Sequence, residues 1–120
     1  MESQITKTGF GWIVVGDDRY EHDIVIELGG TVRKRRKKLS KKVYGTSHKI
    51  SLAEARDVYE DGCQVLLVSA GVFGRVALSD EAQAFFDKQS VQVEVLPTQR
   101  AVRRWNAMTG KAIGLFHVTC

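Results

Sequence analysis

Between Cys63 and Thr119 three short apolar runs alternate with two capped amphipathic segments, and this alternation leaves few folds open. Cys63–Ser69, Val91–Leu96 and Ala112–Thr119 are β-rich and bounded by turn residues, which predicts buried strands. Ser79-Asp80-Glu81 opens one helix: the hydroxyl accepts from an orphan amide and the acids face the positive end of the dipole. Thr98 opens the next, which runs through Met108 and stops at Gly110. Strand, helix, strand, helix, strand predicts helices covering a mainly parallel sheet. A chain of 120 residues holds one such domain, taken as 1–120.

The N-terminal half has a different period. Gly11–Val15 reads as a first strand closed by a turn at Gly16-Asp17-Asp18. From Tyr20 to Leu28 the residues alternate, with Tyr20, His22, Ile24, Ile26 and Leu28 on one face. Gly29-Gly30 suits a two-residue hairpin turn with positive φ. That register sets Asp23 opposite Arg36 and Glu21 opposite Lys38. On the other face it sets Arg33 against Ile26, Arg35 against Ile24 and Lys37 against His22. Cations cannot share a buried apolar face, so the returning strand is expected to be an edge, to bulge, or to peel away. Ser51-Leu52-Ala53-Glu54 then reads as a capping box for a helix ending near Glu60. The fold class expected is α/β with an antiparallel β portion at the N-terminal end.

Charge is the other organising feature. Arg33, Lys34, Arg35, Arg36, Lys37, Lys38, Lys41 and Lys42 place eight of the eighteen positive charges in ten positions. The remaining 110 residues carry ten Lys/Arg against fourteen Asp/Glu, so one basic stripe lies on a mildly acidic body. Such a field selects an anionic partner. An acidic protein face is the partner expected, because few aromatic residues are present to stack on single-stranded bases. Nucleic acid is a third reading, and its mark would be steep salt dependence. Apolar runs of four or five residues fall far short of the ~20 that a membrane span needs. The segment Met1–Lys7 has no apolar signal core, so a cytoplasmic location is expected. Cys63 and Cys120 are expected to be reduced thiols. Composition leaves oligomeric state open.

Several motifs invite chemistry. Ser69-Ala70-Gly71-Val72-Phe73-Gly74 follows a strand, but it does not open onto a helix and lacks a Lys-Ser/Thr pair, so a structural turn is favoured over a phosphate loop. Ser47-His48 lacks a carboxylate placed to orient the imidazole, and no hydrolase is inferred. His48, Cys63, His117 and Cys120 lack Cys-x-x-Cys spacing, and strand alternation would send His117 and Cys120 to opposite faces. No metal and no cofactor are expected. Arg100, Arg103, Arg104 and Lys111 cluster near Trp105, which at helical spacing from Ala101 and Met108 reads as a core residue. The rival to a binding edge is a ligand pocket or enzyme site walled by Tyr44, Thr46, Ser47, His48, Gly71, Gly74, Asn106 and His117.

Several stretches taken together carry a resemblance. They are Tyr20-Glu21-His22-Asp23, the segment Leu39–His48 with its Gly-Thr-Ser-His, the strand and loop through Gly71, Leu96-Pro97-Thr98, Trp105-Asn106, and Phe116-His117-Val118-Thr119-Cys120. In these the chain resembles the Mth938-like domain family over nearly its whole length. The resemblance implies a three-layer β/β/α domain: a mixed central sheet, helices on one face, a smaller β layer on the other, and a last strand antiparallel to its neighbours. It implies no catalytic reaction, and members that look like assembly or regulatory interaction proteins. The function expected is a non-catalytic interaction module using the basic edge.

Overall fold

A computed structural model of the protein describes residues 4–120, so the first three residues of the Met1–Lys7 segment lie outside it. An antiparallel meander comes first, with β1 (Ile5–Gly9), β2 (Trp12–Val15) and β3 (Asp18–Tyr20). Its tight turns rest on Gly11 and Gly16, both with positive φ. The central sheet has five strands in the order β5 (Val32–Lys34), β4 (Ile24–Ile26), β10 (Ala112–Phe116), β7 (Val65–Ser69), β9 (Gln92–Leu96). Strands β10, β7 and β9 are mutually parallel, and β4 is antiparallel to both of its neighbours. The last strand is therefore antiparallel to β4 only. The expectation that it opposes both neighbours is corrected.

Four helices and a small parallel pair complete the described residues: α1 (Lys38–Tyr44), β6 (Lys49–Ile50), α2 (Leu52–Val58), β8 (Ala77–Leu78), α3 (Asp80–Lys88) and α4 (Thr98–Ala107). Alternation in the central strands divides the core in two. Val25, Leu66, Val68, Ile113 and Leu115 pack with Ala55, Val58, Ala82 and Phe86 of α2 and α3. Ile24, Ile26, Leu67 and Phe116 pack with Ile5, Ile13 and Val15 of the meander and with Trp105 of α4. One helix thus joins the β layer, where both C-terminal helices were expected on a single face. The strand order supplies the reason. The crossover through α3 steps outward from β7 to β9, and the one through α4 returns past β7 to β10. Crossovers of one hand that travel in opposite directions lay their helices on opposite faces.

The returning strand of the first hairpin is a three-residue edge, as the conflict of cations with an apolar face requires. Its register differs from expectation by one residue. Arg33 lies opposite Val25 and Lys34 opposite Ile24, because the loop spans residues 27–31 and closes with Glu27 N donating to Thr31 O. A one-residue slip exchanges the faces. Arg33 moves to the α2 side, where carboxylates meet it, and the chain beyond Arg35 winds into α1, a helix the sequence reading missed. Among the described residues no helix is long and apolar enough to cross a membrane.

Candidate functional site

The basic run divides by residue type. Its three arginines pair with carboxylates of the chain itself, Arg35 in the interior and Arg36 at the surface. Arg35 is fully buried, with Nε donating to Glu54 Oε2 at 2.6 Å and Nη2 to Glu54 Oε1 at 3.0 Å. Nη1 donates to Asp23 Oδ2 at 2.9 Å, and Nη2 also reaches Ser47 O at 2.7 Å. Arg33 pairs with Glu27 and Asp57, and Arg36 with Asp57. A planar guanidinium can hold two carboxylates and a carbonyl at once, whereas an ammonium offers a single point of charge. Asp23 and Arg36, expected as partners, are each paired elsewhere, and Glu21 binds Arg19 in place of Lys38. Arg35, expected to face an anionic partner, is 2% exposed and its guanidinium is held by Glu54 and Asp23.

The five lysines point outward. Lys34, Lys37, Lys38, Lys41 and Lys42 are exposed, and none is in an ion pair among the described residues. Helix α1 presents most of them and is anchored from beneath by the ionic cluster. Ser40, fully buried, donates to Glu54 Oε1 at 2.5 Å and accepts from Ser51 N at 2.9 Å. Ser51 Oγ donates to Leu39 O at 3.0 Å and caps α2 by accepting from Glu54 N. The Glu54 carboxylate, expected to complete a capping box, instead holds Arg35 and Ser40. On the outer surface of α1, Val43 is 60% exposed, one turn from half-buried Leu39. A shallow groove of 560 Å³ runs past Lys38, Leu39, Lys41 and Lys42.

At the deep end of the cluster Asp23 links Arg35 to the C-terminal segment. His117 Nδ1 lies 2.8 Å from Asp23 Oδ2, and Val118 N donates to Asp23 Oδ1 at 2.9 Å. Burial pushes the Asp23 carboxyl upward. The hydrogen bonds from His117 and Val118, with the charges of His117 and Arg35, outweigh that and hold it at about 2. The ordinary value for this group, taken as that of the unfolded chain, is 3.8. The folded value is depressed, so its stabilisation is complete above the unfolded value and disappears as pH falls from about 4 toward 2. The shift corresponds to about 2 kcal/mol at neutral pH. Thermal melts between pH 7 and pH 2.5 are expected to show this loss in the natural chain and a flatter profile in Asp23→Asn. Parallel profiles for the two chains would remove Asp23 as the source.

The proposed pocket residues are only partly brought together. His48 and His117 meet edge to face, with ring centroids 5.4 Å apart, and Cys120 Sγ lies 3.8 Å from His48 Nε2. Gly71 belongs to this group for a steric reason. Its φ is +91°, and a Cβ there would fall 2.6 Å from the Cys120 carbonyl carbon and 2.8 Å from His117 Cδ2. Ser47 supplies its carbonyl to Arg35, and Thr46 Oγ1 accepts from His48 N. Tyr44 points elsewhere, donating to Glu81 Oε2 at 2.8 Å and lying under Lys49. Gly74 N donates to Gly71 O in the turn and contributes no side chain. Asn106 is separate: its amide clamps β1 through Ile5 N and Ile5 O. Cys120 was missed as a neighbour of His117 because β10 ends at Phe116, so strand alternation no longer governs the following residues.

A family model described as "Protein of unknown function (DUF498/DUF598)" matches residues 5–115. The chain is similar to the conserved hypothetical protein PH1505 from Pyrococcus horikoshii OT3, at 30% identity and a TM-score of 0.87, over 98% of this chain and 99% of that one. It is similar to MT938 at 28% identity and a TM-score of 0.80, over 98% of each chain. A Mth938-like domain from Bordetella pertussis shares the fold at 20% identity and a TM-score of 0.66, over 97% of this chain and 85% of that one. Matched along nearly all of its length, the chain belongs to the DUF498/DUF598 family and has the fold of the Mth938-like domains.

Proposed function

We propose that the chain is a protein-interaction module that docks an acidic, partly apolar segment of a partner on the face of α1. The observation that carries this reading is the set of five exposed lysines without carboxylate partners among the described residues, arranged around Leu39 and Val43. Unmatched positive charge on a body otherwise slightly acidic gives a local field that steers an anionic partner. Leu39 and Val43 favour a protein segment over nucleic acid, because phosphate backbones offer nothing apolar to cover them. The arginines of the run contribute by fixing α1 in place.

The test is binding of a peptide that alternates Glu with Leu, measured by fluorescence anisotropy at physiological salt. Serine at all five lysine positions is expected to weaken binding more than tenfold and leave the melting temperature within a few degrees, since exposed side chains contribute little to stability. Val43→Ser is expected to weaken the Glu-Leu peptide and leave binding of poly-Glu unchanged. Equal peptide binding by the parent and the five-serine variant would end the proposal. Tighter binding of duplex DNA or RNA than of the peptide, with a steep salt slope, would replace it with the nucleic-acid reading.

A further inference from the structure

The contact of His48, His117 and Cys120 has no part in the lysine face, and its donor set is chemically specific. One donor atom from each residue lies within 4.8 Å of the other two. Zinc bonds of about 2.0–2.1 Å to nitrogen and about 2.3 Å to sulfur give tetrahedral edges of about 3.3 Å between nitrogens and about 3.6 Å between nitrogen and sulfur. The Cys120 Sγ to His48 Nε2 separation of 3.8 Å is already close to such an edge. Closing the rest requires movements of about 1.5 Å or less, within reach of side-chain rotation.

The backbone around all three residues is held from outside the cluster. His48 O accepts from Ala77 N, and His117 N donates to Ser69 O. On either side of Thr119, Val118 O accepts from Gly11 N and Thr119 O from Val72 N. Gly71 leaves the space that the His117 ring and Cys120 occupy. His117 has the feature most characteristic of a ligating imidazole. Its Nδ1 faces the Asp23 carboxylate at 2.8 Å, which fixes ring orientation and leaves Nε2 as the ligand atom. The hydroxyl of half-buried Thr119, 3.1 Å from Nε2, can turn away when that lone pair is used. Behind the imidazole, Asp23 and Glu54 place two buried negative charges against the single charge of Arg35, which favours an added cation.

The geometry points to a zinc-class metal site formed by His48 Nε2, His117 Nε2 and the Cys120 thiolate, with Asp23 as the outer carboxylate. Two imidazoles and one thiolate suit a borderline-soft divalent ion and do not suit magnesium or calcium. Three protein ligands leave the fourth position of a tetrahedral ion to water or an exogenous ligand. Binding releases the Cys120 proton to solvent as the thiolate forms.

Titrating the metal-free chain with Co²⁺ is expected to produce a thiolate-to-cobalt charge-transfer band that saturates at one equivalent and is displaced by Zn²⁺. Cys120→Ser is expected to abolish the band, and His48→Ala to weaken Co²⁺ binding more than about 100-fold, beyond the range of an outer-shell change. His22→Ala, outside the cluster, is expected to bind as the parent does. In the unaltered chain, one equivalent of Zn²⁺ is expected to slow alkylation of Cys120 by iodoacetamide at least tenfold, an arm that needs no variant to fold. Absence of the band, its survival in Cys120→Ser, equal affinity in His48→Ala, or unprotected alkylation would each overturn the site.

Discussion

Arg35→Ala is expected to destabilise the protein by about 3–5 kcal/mol, the usual cost of removing one partner from a buried ion pair. Among the described residues, Glu54 would remain with no exposure and only Ser40 as a side-chain donor, and Asp23 would lose one of its two side-chain partners. The reference is Arg36→Ala, whose side chain is 61% exposed and which should cost less than about 1 kcal/mol. Urea unfolding followed by circular dichroism measures both. The combined change Arg35→Met with Glu54→Met removes the buried charges together and is expected to cost much less than the two single changes added. A loss for Arg35→Ala no greater than for Arg36→Ala would show that the cluster does not hold α1.

Trp105→Ala is expected to cost a similar amount, about 3–5 kcal/mol, from the second core. Trp105 is 4% exposed and meets Phe116 edge to face at 5.7 Å. It also lies across Gly114, where a Cβ would come within 3.1 Å of its ring, so the strand is bare at this point to admit the indole. A lower urea midpoint with an unchanged slope is the expected signature. Binding to the lysine face should be unaffected below the melting temperature, which separates Trp105 from any nucleic-acid surface. A Trp105 variant that binds less at full stability would return the indole to an interface.

The C-terminal half was legible because its signals are local. Ser79 caps α3 through Ala82 N, and apolar runs mark β7, β9 and β10 within two or three residues of their ends. Thr98 was expected to cap α4, but Pro97 occupies that position and Thr98 is the first helical residue. The basic segment was harder because two local rules conflict there. Lys, Leu and Ser at 38–42 are compatible with a helix, yet eight cations after an alternating strand read as a charged edge. Nothing local distinguishes Arg35, which is buried, from Lys34, which is exposed. That distinction follows from the length of the loop at residues 27–31 and from carboxylates at Asp23 and Glu54, distant in sequence. The His48–His117–Cys120 contact was illegible for the same reason. It joins two segments separated by 72 residues, and the only local rule available, alternation, stops applying after Phe116.

The strand at the middle of the five-stranded sheet, β10, is the last to be made, and it pairs with β4 on one side and β7 on the other. Until Ala112–Phe116 emerges from the ribosome, no strand lies between β4 and β7, and each presents an unpaired edge. Folding therefore waits for a late closing step across a long stretch of sequence, a topology associated with slow folding and with exposure to chaperones during synthesis.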